Sequence, residues 1–252
     1  MPGAPPTVGP PDGARRLRSR KSQVRSGRGY GTLGRMIVMQ PVLETRAPDG
    51  FSLWPVAEGA SSRFTALSGN LGPAEVGTVL MLIARCNDID PDPGAGDDRP
   101  PRPADPLASF LHGLLTSEDP FVSGGLRVVD GATGVTLLPG CCHGLEDWRG
   151  MYAVLDGAVS PFLGHDPDPV VERSGESVRL VVDFEQSDSP VIELPAAELR
   201  WLLDGVGRDL SAFLVLAAEW VRLHLPDHAE PVIEALARVL DVPANGGTRQ
   251  AS

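Results

Sequence analysis

Between Leu138 and Trp148 the sequence runs Leu-Pro-Gly-Cys-Cys-His-Gly-Leu-Glu-Asp-Trp, the densest concentration of reactive side chains in the chain. A cysteine at the start of a helix has its thiolate stabilised by unpaired amides and the helix dipole, and a nearby imidazole can take its proton. On that chemistry Cys141 or Cys142 is the nucleophile and His143 the base. Two features oppose it. Glu146 and Asp147 fall in the first turn of the same expected helix, where their charge favours the protonated thiol. Neighbouring side chains also diverge in direction, so adjacency alone does not give Cys142 a hydrogen bond to His143. As a metal site the run lacks the spaced cysteine pairs of structural zinc, so the sequence predicts no metal. Cys86, His112 or His165 completes a site only if the fold carries it there. Glu146, Asp147 and Trp148 are also candidate binding residues, offering two carboxylates and an indole to a partner.

No other segment carries a recognisable chemical motif. Asp88-Ile89-Asp90-Pro91-Asp92-Pro93-Gly94 alternates carboxylates like a calcium loop, but its glycine falls one position late and Arg99 stands where the bidentate glutamate belongs. That segment and His165-Asp166-Pro167-Asp168 both read as solvated loops. A P-loop and a G-x-S-x-G elbow are absent, the glycine run Gly27-Arg28-Gly29-Tyr30-Gly31 is only leader, and the sequence names no cofactor.

The reactive run must be held by what flanks it. Leu126 to Asp130 and Val135 to Leu138, joined by Gly131-Ala132-Thr133-Gly134, predict a hairpin. Leu145, Trp148, Met151, Tyr152 and Leu155 then mark one face of a helix that stops near Gly157. Upstream, Val76 to Ala84 is an apolar run that suits either a buried strand or a short buried helix. A Pro/Asp-rich loop at 87–105 is the best internal boundary. After it Leu107, Phe110, Leu111, Leu114 and Leu115 fall at helical spacing, with Asp105 placed to cap and Pro106 in the first turn. Val178, Leu180, Val182 and Phe184 alternate, and Val191 to Leu194 predicts the second strand of another hairpin. The C-terminal quarter predicts three helices: Pro195 to Leu203, Asp209 to Leu225, and Asp227 to Leu240 with Asp227 and Glu230 at capping-box spacing. Short antiparallel strands and hairpins followed by a C-terminal helical region define an α+β fold.

Charge divides the chain. Residues 1–35 hold eight basic side chains against Asp12 alone, a balance of +7. The rest holds 14 basic and 32 acidic side chains, a balance of −18. The leader, rich in Pro, Gly, Ser and Arg, is expected to be disordered. It reads either as a basic arm for nucleic acid or an acidic surface, or, the favoured reading, as sequence upstream of a misassigned start codon, with order beginning at Met36 to Met39. Residues 36–242 are then a single α+β domain and 243–252 a disordered tail. Lys21 is the only lysine, a bias that follows from a GC-rich bacterial genome.

A body so acidic repels nucleic acid and anionic lipid and attracts basic proteins. No apolar run is long enough to cross a membrane, and the stretch after Arg15-Arg16 is too short for an export signal. Three cysteines make no even disulfide framework, which suits a reducing cytosol. The leading functional expectation is an acidic cytoplasmic binding or immunity-type protein that engages a basic protein partner. The alternatives are a small enzyme with its Cys/His site at 141–148, and a homo-oligomeric accessory subunit that pairs through the apolar helix 209–225.

Overall fold

The computed structural model describes residues 36–46, 49–58 and 62–243. The expectations for residues 1–35, and for the tail beyond Pro243, lie outside the described residues.

The fold is α+β, with two antiparallel sheets and a C-terminal helical region. Strand β1 (Ile37–Glu44) sits inside the first sheet, in the order β2–β1–β3–β4, with β2 (Phe64–Ala66), β3 (Gly124–Asp130) and β4 (Thr136–Leu137). β1 pairs with β3 along its length, from Ile37 opposite Asp130 to Leu43 opposite Gly124. The hairpin read at 126–138 joins β3 to β4. Its turn is closed by the Asp130 carboxylate, which accepts from the Ala132 amide at 3.0 Å and the Thr133 hydroxyl at 2.8 Å. The second sheet runs in order β5 (Val170–Ser174), β6 (Ser177–Val181) and β7 (Val191–Pro195). Val178 and Leu180 face the core, as their alternation predicts, but β6 ends at Val181 and leaves Phe184 exposed.

Helix α1 (Pro73–Cys86) resolves the ambiguous run at 76–84 as a buried helix. Pro73 occupies the first turn, and the Glu75 carboxylate accepts from the Gly72 amide at 2.7 Å, satisfying one of the end donors. Helix α2 (Pro106–Thr116) starts where expected, with Asp105 Oδ1 accepting from the Ala108 amide at 2.8 Å. α1 and α2 pack together across the loop at 87–105.

The C-terminal quarter departs from the reading in two places. Instead of helices ending at Leu203 and restarting at Asp209, one continuous helix, the long helix Ala196–His224, spans 29 residues. Gly205 and Gly207 each cost about 1 kcal/mol in a helix interior, but Val206 and Leu210 between and beyond them are fully buried, so packing overrides propensity. Gly207 also makes room for the Trp148 ring, whose Cη2 would lie 3.3 Å from an added Cβ. The Asp227–Glu230 capping box does not form. A 3-10 turn, Pro226–His228, leads into the last helix (Ala229–Val239), and His228 holds the cap position with no side-chain cap bond.

The long helix packs on β1, α1, the last helix and the second sheet. Most of its apolar circumference is therefore spent inside the chain, leaving Trp201, Val215 and Leu223 exposed. Among the described residues no helix is long and apolar enough to cross a membrane.

Candidate functional site

Residues 140–145 form a connector that is held on both sides. On one side the Gly140 amide donates to Leu163 O at 2.9 Å, and Cys141 and His165 exchange backbone bonds of 2.6 and 3.1 Å. On the other, the Gly124 amide donates to His143 O at 3.1 Å and the Leu145 amide to Val122 O at 3.0 Å. The helix expected from Leu145 begins as a 3-10 turn, Leu145–Arg149; α-helical geometry starts only with α3 (Gly150–Leu155).

This connector separates the predicted site residues. Cys141 and Cys142 are exposed, with their Sγ atoms 3.3 Å apart. Cys142 has φ 64, a left-handed conformation. Its hydrogen bond and charge interaction with Cys141 raise its pKa above the ordinary thiol value. His143 is buried over β3, where a Cβ on Gly125 would meet its ring at 2.6 Å, and its Nδ1 has no hydrogen-bond partner among the described residues. The histidine that the fold brings to the thiols is His165: one ligand atom each from Cys141, Cys142 and His165 lie within 4.8 Å of one another. His112 is buried in α2 and Cys86 is half-buried at the end of α1; neither joins this group.

Burial lowers the pKa of His143 below 6.5, with Asp147 opposing weakly. The unfolded chain therefore takes up this proton before the folded chain does. The stability contributed by the neutral ring is present above about pH 6.5 and is lost as the pH falls through the folded-state pKa. Urea midpoints of the wild type should fall between about pH 7 and pH 5 more steeply than those of His143→Gln. Equal slopes would contradict a buried neutral ring.

Glu146, Asp147 and Trp148 divide differently. Trp148 is core: its Nε1–H donates to Leu240 O at 3.0 Å, and the Arg149 guanidinium lies 4.3 Å from its ring centroid. Asp147 is exposed. Glu146 is half-buried; its Oε2 accepts from the Val122 amide at 3.3 Å, and burial pushes its pKa up, Asp147 adding to the effect.

Glu146 forms part of a groove of about 580 Å³. The other charged walls are Glu118 and Asp119 from the loop after α2, Glu234 and Arg238 from the last helix, and Asp241 just beyond it. Asp241 is paired with Arg149 at 2.7 Å. Among the described residues Glu118, Asp119 and Glu234 have no cationic partner. A second hollow of about 1020 Å³ shares Glu118 and Asp119 and continues to Asp97, Asp98 and Arg99. There the Arg99 guanidinium holds the Asp97 carboxyl far below the usual carboxylate range, at a contact of 2.7 Å, and Arg102 pairs with Asp88 and Asp90. In the Pro/Asp-rich loop Asp88, Asp90 and Asp97 are thus engaged by arginines, whereas Glu118, Asp119 and Glu234 of the adjoining groove are not. Of the groove walls only Glu146 was a candidate from the sequence, because the other carboxylates come from segments that are far apart in the chain.

Comparison with protein-family models, curated proteins and solved structures finds no match.

Proposed function

We propose that this is a cytosolic binding protein of the immunity type, which engages a basic protein partner by taking its arginine or lysine side chains into the groove between the loop at 118–120, the turn at 145–149 and the last helix. The observation that carries this reading is the imbalance of the groove walls: apart from Asp241, which Arg149 pairs, four carboxylates stand against Arg238, with Glu118, Asp119 and Glu234 unpaired among the described residues. Unpaired carboxylates held together in a concavity repel one another and focus the local field. A guanidinium or ammonium relieves both, and charge-assisted bonds in such a setting are the stronger kind. The half-buried Glu146 deepens the negative end, and its raised pKa marks a carboxylate that gains from a cation.

The test is a charge reversal. The full chain and Glu118→Lys/Asp119→Lys/Glu234→Lys are each used to capture partners from the native cell, and association rates are measured for the basic protein held by the wild type. All three positions are exposed, so the folded state should tolerate the changes within roughly 0.5 kcal/mol each. The triple variant should associate at least about 10-fold more slowly. A partner held equally well by both chains would overturn the assignment.

A further inference from the structure

We propose that Cys141, Cys142 and His165 form a binding site for a thiophilic cation of the Zn²⁺ class, with two thiolates and one imidazole as protein ligands and a fourth position open to solvent. Soft sulfur donors with an imidazole select such ions over Mg²⁺ or Ca²⁺.

The three ligand atoms lie within 4.8 Å of one another, and the two sulfurs are 3.3 Å apart. A tetrahedral Zn²⁺ with its usual bond lengths asks for ligand separations of about 3.4–3.8 Å. The cluster therefore needs only small side-chain adjustments to close on an ion.

The scaffold is fixed by backbone rather than by side chains. Cys141 and His165 face each other across an antiparallel bridge. The strands meet so closely that a Cβ on Gly140 would lie 2.6 Å from the His165 nitrogen, and one on Gly164 would lie 2.5 Å from the Gly140 carbonyl carbon. Cys142 is held at φ 64, where a residue with a Cβ costs about 1–2 kcal/mol. Such strain gathers at ligand sites.

Asp166 supplies the outer support that metal-binding histidines commonly have. Its Oδ2 lies 3.0 Å from His165 Nδ1, and a proton held on that nitrogen leaves Nε2 with the free lone pair. Binding is proton-coupled: both thiols release their protons to solvent as the two sulfur–metal bonds form, and the ion keeps its oxidation state. A disulfide between the adjacent cysteines would explain the short sulfur contact but not the placement of His165.

The experiment is a titration of the reduced, chelator-treated full chain with Cd²⁺, read by its thiolate-to-metal absorption, followed by Zn²⁺ competition against a chromophoric chelator. One ion per chain should bind. Cys141→Ser and Cys142→Ser should each weaken binding by about 100-fold or more, and Asp166→Asn, through His165, by about 10-fold. His165→Ala keeps the backbone bridge and should weaken binding by about 10- to 100-fold. Cys86→Ser should bind like the wild type. No saturable band, or a band that is lost with Cys86→Ser and kept with His165→Ala, would overturn the site. So would a chain that forms the Cys141–Cys142 disulfide readily and binds no ion once reduced.

Discussion

Trp148→Ala should lower stability by about 3–5 kcal/mol, the range for truncating a buried aromatic. Trp148 is only 1% exposed, its ring fills the space opened by Gly207 on the long helix, and its indole N–H satisfies the Leu240 carbonyl at the end of the last helix. Truncation leaves a cavity and an unpaired buried carbonyl, two of the mechanisms behind large losses. In a domain of this size the melting temperature should fall by roughly 6–20 °C. Trp148→Phe keeps most of the packing and loses the hydrogen bond, so it should cost about 1 kcal/mol from that source plus a smaller packing loss. The pair separates filling from bonding. The loss should also reach the groove, because the turn carrying Glu146 is pinned to the last helix through Trp148 and through Arg149, which donates to Asp241 O at 2.9 Å. An alanine variant that melts within a degree or two of wild type would contradict this role.

Gly140→Ala should be nearly as damaging. An added Cβ would lie 2.4 Å from Pro167 O and 2.6 Å from the His165 nitrogen. Both neighbours are backbone atoms, which cannot swing aside as a side-chain tip can. The cost should reach the upper end for overpacking, about 3 kcal/mol, with the connector displaced from the 163–167 loop. Gly134→Ala is the control: its φ is 75, but nothing lies within 4 Å of an added Cβ. It should lose only about 1–2 kcal/mol of backbone strain. Amide exchange at Cys141 and His165 should accelerate in Gly140→Ala and stay slow in Gly134→Ala. The reverse pattern would show that the close approach is not what holds the connector.

Elements signalled within a few residues were legible in the sequence. Asp105 and Pro106 open α2, Gly131 to Gly134 turns β3 into β4, and alternation marks β6 before its partner β7. Where tertiary packing decides, the sequence was silent or misleading. The run at 76–84 suits strand and helix equally until its burial on all sides is known. Gly205 and Gly207 read as a break, yet the long helix runs through them because Val206, Leu210 and the Trp148 ring pack there.

The candidate site follows the same rule. Cys141 and Cys142 stand out by type, but the histidine beside them in sequence, His143, turns into the core. His165, in a segment that reads as a solvated turn, is brought to them by the bridge at Cys141. The acidic balance was countable, but its location was not: Asp88, Asp90 and Asp97 are paired within their loop, whereas Glu118, Asp119 and Glu234 meet only in the fold.

The most direct test of binding through the acidic groove is the association rate of the full chain with its captured partner across a series of salt concentrations. Steering by the groove carboxylates predicts a rate that falls steeply as salt rises, and a much shallower dependence for the Glu118→Lys/Asp119→Lys/Glu234→Lys chain. A wild-type rate that stays flat from low to high salt would contradict electrostatic recognition of a basic partner.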